Sequence, residues 1–134
     1  MIRRIAIVAA TTLVGVPLLA GVSSAAKNDQ LCTSGEFCLF ENYEYNEPDH
    51  RYDGHTRQWT TGDRDYGDND WFNSNDNLDN EASSVKNKNP CTVVLYQHPN
   101  FSGAASAFKP GAWDPYLKNN NIGDNRASSH RRFC

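Results

Sequence analysis

A six-residue segment occurs twice in this 134-residue chain. Residues 79–84 read Asp-Asn-Glu-Ala-Ser-Ser, and residues 124–129, 45 positions later, read Asp-Asn-Arg-Ala-Ser-Ser. Five of the six positions are identical, and the sixth exchanges Glu81 for Arg126. Repetition of this kind indicates two copies of one supersecondary unit, neither of which buries its apolar face alone. We therefore expect two similar units that pack together into one domain.

Short strand-like segments separated by turn-forming residues make up the chain after residue 26. The predicted strands are 37–40, 83–86, 92–96, 104–108 and 129–133. Gly, Pro, Asn and Asp cluster between these segments, and no stretch carries a sustained helical stripe of apolar residues, which is typical of an all-β sandwich or barrel. One helical turn is predicted at 113–117, with Asp114 as its cap and Pro115 at its first position.

An aromatic pattern precedes each copy of the hexapeptide. Residues 96–103 contain an aromatic-x4-aromatic-x-Gly sequence ahead of the second copy. Residues 40–47 repeat both aromatics ahead of the first copy, but Glu47 stands where the glycine would be. The two sequence elements therefore recur in the same order in both halves of the chain.

Together, these elements resemble the βγ-crystallin superfamily, whose unit is a four-stranded Greek key. The family combines the aromatic hairpin with a later [Asn/Asp]-[Asn/Asp]-x-x-[Ser/Thr]-Ser calcium motif. The resemblance implies an all-β fold, with two Greek keys forming a single βγ-crystallin-like β-sandwich over residues 27–134. The family's glycine has a positive φ, in which Glu47 would be strained, so the first hairpin is expected to be rebuilt. The additional residues of the first unit are expected within 46–73.

The resemblance also implies two calcium sites in which the units exchange ligands. The implied ligands are Asn80, the main-chain carbonyl of Glu81 and Ser128 for one ion, and Asn125, the main-chain carbonyl of Arg126 and Ser83 for the other. Amide, hydroxyl and carbonyl oxygens all suit Ca²⁺, and their low charge predicts weak binding, with a dissociation constant of about 10⁻⁴–10⁻³ M. In the alternative interpretation, the Asn and Ser side chains only cap turns.

The first 26 residues have the layout of a secretory signal peptide. Two basic residues, Arg3 and Arg4, precede an apolar run over 5–19 and a small-residue ending at 23–26. This segment is too short and wrongly flanked for a membrane anchor. We therefore predict that residues 27–134 are secreted.

Four cysteines follow the predicted leader. An even number in a small exported chain predicts two disulfides, and three pairings are open. We favour Cys32–Cys38, which closes a tight loop, and Cys91–Cys134, which ties the last residue to the start of an apolar strand. A zinc site is disfavoured, because no matching cysteine pair follows the first one.

Charge and motifs exclude several classes of function. Residues 27–134 hold 11 basic and 16 acidic side chains, whereas nucleic acid or an anionic membrane would require a basic stripe. The acidic segment 63–70 departs from the EF-hand spacing and is interpreted as a solvated loop.

No His-Glu-x-x-His, Gly-x-Ser-x-Gly or phosphate-binding glycine loop occurs. The four histidines, expected at surface or turn positions, are His50, His55, His98 and His130. The chain is predicted not to be an enzyme.

Within the superfamily, the chain is similar to the secreted bacterial metalloproteinase inhibitors of the streptomycete type. The similarity rests on export, one domain of about a hundred residues, two disulfides, and the segments 32–42 and 89–96. In that family the protease-binding bond directly follows a disulfide-bonded cysteine, which implies Cys91–Thr92 here.

The function implied is inhibition, by a monomer, of a thermolysin-like zinc metalloprotease through substrate-like binding of a rigid loop. In one alternative, residues 91–95 only form a strand. In the other, the chain is a calcium-binding βγ-crystallin module with a structural or cell-surface-binding role and no inhibitory activity.

Overall fold

Seven strands in two antiparallel sheets form the protein, in a computed structural model that describes residues 31–49 and 53–134. The strands are β1 (Phe37–Phe40), β2 (Thr56–Trp59), β3 (Ser84–Asn87), β4 (Thr92–His98), β5 (Ser102–Phe108), β6 (Trp113–Asp114) and β7 (Ser129–Phe133). Three short 3-10 segments lie at Tyr43–Asn46, Tyr66–Asp68 and Leu117–Asn119. The all-β sandwich is confirmed, and no α-helix occurs in these two ranges. The predicted leader at 1–26 and His50 lie outside the described residues.

The two repeated units exchange strands. The first sheet has the order β2-β1-β3-β6, so that β6 of the second unit extends a sheet built from the first. The second sheet has the order β5-β4-β7, and Asp63 of the first unit adds an isolated bridge to His130 at its β7 edge. Each unit therefore completes the sheet of the other, as the repeat predicts.

Most strands lie where the sequence predicts them. β1 and β7 have the predicted bounds, and β3, β4 and β5 agree within two residues. β2 and β6 were not predicted. The helical turn at 113–117 is wrong, because Trp113 and Asp114 pair with β3 and the 3-10 segment begins only at Leu117. Asp114 still holds the turn, since its Oδ1 accepts from the Tyr116 N–H at 2.8 Å.

The two aromatic hairpins have similar packing but different backbones. The Phe40 and Tyr45 ring centroids are 5.6 Å apart, and those of Tyr96 and Phe101 are 5.8 Å apart. Gly103 has a φ of 84°, and a Cβ there would lie 2.5 Å from a ring carbon of His98. In the first hairpin, Glu47 is extended with a φ of −118°, and its neighbour Asn46 has the positive φ, 64°. The first hairpin is rebuilt, as expected from a glutamate at that position.

The sheets enclose an aromatic core. Phe37, Tyr66 and Trp71 are almost completely buried, and Trp59 stacks on Tyr66 with ring centroids 5.2 Å apart. A few large rings bury much apolar area, which explains how a chain poor in aliphatic residues forms a core. No described helix has the length and apolar character needed to cross a membrane.

The outer faces of the two sheets differ in how they are covered. On the first sheet, side chains that alternate with the core residues of β1 and β2 are themselves buried. These outward residues, all at most 5% exposed, are Cys38, Phe40, Thr56 and Gln58. On the second sheet, Val93 and Leu95 face the core, whereas Thr92, Val94 and Tyr96 on the other face are only half-buried. Within the described residues, the outer face of the second sheet is therefore more open than that of β1 and β2.

Candidate functional site

The two hexapeptides face each other across the domain. The Asn80 N–H donates to the Ala127 carbonyl at 2.9 Å, and the Asn125 N–H donates to the Ala82 carbonyl at 3.0 Å. Asn80 and Asn125 both have left-handed backbones, with φ values of 59° and 55°. Asn tolerates this conformation better than most residues do, which explains its place in both copies. The segments predicted to act together are in fact neighbours.

The Asn and Ser side chains implied as ligands of the same ion lie next to each other. Ser128 Oγ donates to Asn80 Oδ1 at 3.1 Å, and Ser83 Oγ donates to Asn125 Oδ1 at 3.4 Å. Ser83 and Ser128 are buried, whereas both asparagines are exposed. Each half of the chain thus brings one amide oxygen to the hydroxyl of the other half.

The sixth position of each hexapeptide holds a hairpin in place. Ser84 Oγ donates to the Asn42 carbonyl at 2.7 Å and accepts from the Tyr45 N–H at 3.0 Å. Ser129 Oγ donates to the His98 carbonyl at 2.6 Å and accepts from the Phe101 N–H at 3.2 Å. Each second serine therefore links its strand to the aromatic hairpin of its own unit, and this role requires no metal.

The variable position of the hexapeptide is exposed in both copies. Glu81 Oε2 accepts from Trp71 Nε1 at 2.9 Å, and the Arg126 side chain lies against Gly123. Both side chains are engaged away from the Asn–Ser pairs. The main-chain carbonyls of Glu81 and Arg126 remain the ligands that the resemblance implies at this position.

Two carboxylates at the start of the hexapeptides were not among the predicted ligands. Asp79 Oδ1 and Asp124 Oδ1 are buried and have no hydrogen-bond partner. Their Oδ2 atoms accept from the Asn80 and Asn125 side-chain amides at 3.2 and 3.3 Å. Tyr43 also donates to Asp124 Oδ2 at 2.9 Å, and this bond is the main reason why the pKa of Tyr43 is raised. A buried carboxylate oxygen without a donor is costly unless a cation approaches it.

An open concavity of about 510 Å³ adjoins the hexapeptides. Its lining includes Asn80 and Ser83 from the first unit and Asp124 and Asn125 from the second. The donor set is made of carboxylate, amide and hydroxyl oxygens, which is the chemistry that Ca²⁺ prefers. The residues present therefore fit calcium.

The other acidic and cysteine clusters do not form a metal site in the described ranges. Asp63 Oδ2 accepts from Trp59 Nε1 at 3.0 Å and from Asn69 Nδ2 at 2.7 Å, so it organises its own loop. Cys32, Glu36 and Cys38 lie within metal-binding distance of one another. Both cysteines, however, are joined in a disulfide and cannot act as thiolates.

Both disulfides have the favoured pairing. Cys32 is bonded to Cys38, and Cys91 is bonded to Cys134. The second bond joins the residue before β4 to the residue after β7, because Thr92 and Phe133 are directly paired across these strands. The interpretation of adjacent strand ends is therefore confirmed.

Two buried asparagines organise the segment before β4. Asn87 Nδ2 donates to the Cys91 carbonyl at 3.0 Å and to the Phe108 carbonyl at 2.8 Å. Asn89 Oδ1 accepts from the Cys91 N–H at 3.0 Å. Cys91 is 6% exposed, whereas Pro90 is exposed and Thr92 is half-buried. The predicted bond Cys91–Thr92 thus lies at the start of β4, with both polar groups of Cys91 already hydrogen-bonded.

His130 is not at the surface, so that prediction is wrong. It is fully buried between core rings, 4.8 Å from Phe37 and 4.9 Å from Trp59 by ring centroids. Its Nε2 lies 2.8 Å from the Thr61 carbonyl, which only accepts, so Nε2 carries the proton and Nδ1 accepts from the Tyr66 hydroxyl at 2.6 Å. Burial lowers the pKa of His130 to about 4. The side chain is therefore a neutral core residue at physiological pH.

The other described histidines are partly or fully solvent-accessible. His98 is exposed at the end of β4, and His55 is half-buried with Nδ1 2.7 Å from Glu41 Oε2. This exposure agrees with the prediction that they are turn or surface residues.

A sequence model of peptidase inhibitor family I36 matches residues 25–108. The chain belongs to this family. Family I36 membership makes it a member of a class of peptidase inhibitors, which are not enzymes, as predicted. The matched region contains both the segment before β4 and the first hexapeptide. No curated protein sequence matches the chain.

Solved structures similar to this family I36 member are βγ-crystallin domains. A domain from work on the evolution of the eye lens βγ-crystallin fold has 18% identity and a TM-score of 0.58, over 84% of this chain and 93% of that one. An archaeal βγ-crystallin has 23% identity and a TM-score of 0.55, over 75% and 100% of the two chains. A βγ-crystallin from Ciona intestinalis has 19% identity and a TM-score of 0.56, over 73% and 99%. These similarities establish the fold.

Proposed function

We propose that this secreted I36-family chain inhibits a thermolysin-like zinc metalloprotease, as a monomer, by placing the Cys91–Thr92 segment in the protease cleft. Family membership supports a protease as the partner. The observation that carries the choice of segment is its restraint: Cys91 is fixed by the Cys134 disulfide and by Asn87 and Asn89. A segment held in this way loses little conformational entropy on binding.

The same restraints make the Cys91–Thr92 bond a poor substrate. In substrate-like binding, the zinc of the protease polarises the carbonyl that precedes the cut bond. The Cys91 carbonyl already accepts a hydrogen bond from the Asn87 side chain. This bond has to break before the carbonyl oxygen can approach the zinc of the protease. Should the bond be cut, the disulfide and the pairing of Thr92 with Phe133 keep both new ends in place. Slow cleavage and slow release are the expected behaviour of an inhibitor.

Substitution of Thr92 tests this segment. Thermolysin-like proteases favour a bulky apolar residue after the cut bond, and a hydroxyl at that position costs about 1–3 kcal/mol. Thr92→Val should therefore lower the inhibition constant about tenfold or more, and Thr92→Asp should abolish inhibition, in assays against a thermolysin-type protease.

The control is Ser102→Val, which changes an exposed hydroxyl residue at the opposite end of the second sheet. It should leave the inhibition constant unchanged. Equal inhibition by parent and Thr92→Asp would place the contact elsewhere on the protein. A parent without effect at micromolar concentration would end the proposal.

Calcium binding is a second candidate function, favoured by the unpartnered buried oxygens of Asp79 and Asp124. The ligands would be the six implied by the sequence: Asn80, the Glu81 carbonyl and Ser128, and Asn125, the Arg126 carbonyl and Ser83. Asp79 and Asp124 add negative charge beside them. A bound ion would supply positive charge to these carboxylates. The hydrogen bonds of Ser128 with Asn80 and of Ser83 with Asn125 already join the two units at this place.

Calcium should raise the melting temperature of the protein. A ligand with a dissociation constant of about 10⁻³ M, added at about 10 mM, stabilises the folded state by about 1.4 kcal/mol per site. For a domain of this size that is a rise of several degrees, measured by calorimetry. The double variant Ser83→Ala/Ser128→Ala should lose most of the rise.

A second pair of variants tests the carboxylates. Asp79→Asn/Asp124→Asn keeps the shape of both side chains and removes their charge, so it should weaken the calcium response. Asp76→Asn, at an exposed carboxylate outside the hexapeptides, should respond like the parent. An unchanged melting curve for the parent in calcium would exclude binding without affecting the inhibition proposal.

A further inference from the structure

Among the described residues, the outer face of the second sheet is only partly covered, and Arg131 is the charged residue on it. We define the open face by six outward residues of β4, β5 and β7: Thr92, Val94, Tyr96, Ala107, Arg131 and Phe133. Ala107 and Arg131 flank Val94 on its two sides, and Phe133 is paired with Thr92. The three strands contain no Asp or Glu. Ala107, Arg131 and Phe133 of this face are exposed, so a partner can contact it.

Two side chains stand out from this flat face. Phe133 is 45% exposed, although it is a large apolar residue. Arg131 lies over two rings, with its guanidinium carbon 5.2 Å from the Phe133 centroid and 5.5 Å from that of Phe101. In the described ranges no carboxylate pairs with Arg131. Aromatic and arginine side chains of this kind are the residues that most often dominate the energy of protein interfaces.

The open face is continuous with the segment proposed to enter the protease. Thr92 belongs to both, since it follows Cys91 and is the first residue of β4. Phe133 is its direct partner on β7 and precedes Cys134, which is bonded to Cys91. A protease that holds Cys91–Thr92 in its cleft therefore brings its own surface beside Phe133. On the first sheet the outward residues of β1 and β2 are buried, and the exposed aromatic residue Trp113 stands at its β6 edge.

From this continuity, and resting on the proposed function, we infer that the open face is a second contact surface for the inhibited protease. Its occupant is the rim of the protease cleft, with a flat apolar area against Phe133 and Val94 and a carboxylate that faces Arg131. The unpaired guanidinium supplies the charge complementarity. Contacts outside the cleft add binding affinity, which compensates for the weak binding expected of Thr92. They also allow the inhibitor to distinguish proteases that have similar active sites.

Two substitutions and two matched controls test this surface. Phe133→Ala should raise the inhibition constant for a thermolysin-type protease about tenfold or more, because truncation of an aromatic anchor at a protein interface has effects of that size. Arg131→Glu should raise it as well and should reduce the dependence of the association rate on salt, because charges at an interface act mainly on that rate.

The controls make similar changes away from the open face. Trp113→Ala truncates another exposed aromatic residue, 52% exposed on the first sheet. Arg132→Glu changes the charge of the adjacent arginine, whose side chain donates to the Thr60 carbonyl instead. Both controls should inhibit like the parent, within about twofold. Unfolding curves for all four variants verify that each protein is folded in the assay.

The results separate this surface from the proposed function. Parent-like inhibition by both Phe133→Ala and Arg131→Glu would overturn the contact surface and leave inhibition through Thr92 intact. Equal losses in the test variants and the controls would overturn it too, because the effect would then not be specific to the face. A parent that does not inhibit would refute both proposals.

Discussion

Removal of the Cys91–Cys134 disulfide should lower the free energy of unfolding by about 4 kcal/mol, about twice the loss for Cys32–Cys38. The two bonds close segments that differ in length, with sequence separations of 43 and 6 residues. In the chain-entropy model, a longer closed loop restricts the unfolded state more, which gives about 4 and 2 kcal/mol. Urea unfolding of Cys91→Ala/Cys134→Ala and of Cys32→Ala/Cys38→Ala measures both values.

The order of the two losses is the decisive result. A greater loss for Cys32→Ala/Cys38→Ala would show that native packing around these cysteines outweighs loop closure. The same proteins also report on the proposed contact with the protease. In Cys91→Ala/Cys134→Ala, the main chain at position 91 keeps its hydrogen bonds to Asn87 and Asn89 but loses the link to the end of β7, so inhibition should weaken more than in Cys32→Ala/Cys38→Ala.

Acid should destabilise the protein through His130, by about 3 kcal/mol in total. An unfolded histidine binds a proton below its ordinary pKa of 6.5, whereas burial holds the folded pKa of His130 at about 4. The unfolded state therefore binds more protons between these values. Stability is complete above pH 6.5, decreases as the pH falls, and stops changing through this group below about pH 4.

Urea unfolding between pH 7 and pH 5 measures this effect before most carboxylates titrate. The expected slope approaches about 1.4 kcal/mol per pH unit, because one proton is taken up on unfolding. His98→Gln, which replaces an exposed histidine, should keep the slope. A free energy of unfolding that stays constant across this interval would contradict the buried neutral imidazole, and an NMR titration of the His130 ring tests its pKa directly.

Local sequence patterns predicted the fold because the same hexapeptide specifies the same structural roles in both halves of the chain. The hexapeptide specifies an Asn that adopts a left-handed backbone, a Ser that meets the other unit and a second Ser that fastens a hairpin. Each of these roles follows from residue type and spacing. Strand β2 was missed because Thr56 and Gln58 are polar, although both are buried in the folded protein. Strand β6 was missed because two residues give no periodicity.

The errors at single residues have a common cause, which is a partner far away in the sequence. His130 is buried because Tyr66, 64 positions earlier, satisfies its Nδ1. Its own strand, with two arginines after it, predicts exposure. Asp79 and Asp124 are not among the ligands that the resemblance implies, and only the packed structure shows that their Oδ1 atoms have no donor. The composition of a segment does not reveal such long-range pairs.

The exchange of edge segments between the units has a consequence for how this protein can be divided. The family match ends at residue 108, yet a fragment cut there would lose β6, β7 and the sulfur partner of Cys91. Its first sheet would lack an edge, and β4 would be left unpaired along one side. The region that matches the family model is therefore too short to form both sheets. A shortened version of this protein has to retain both halves of the chain.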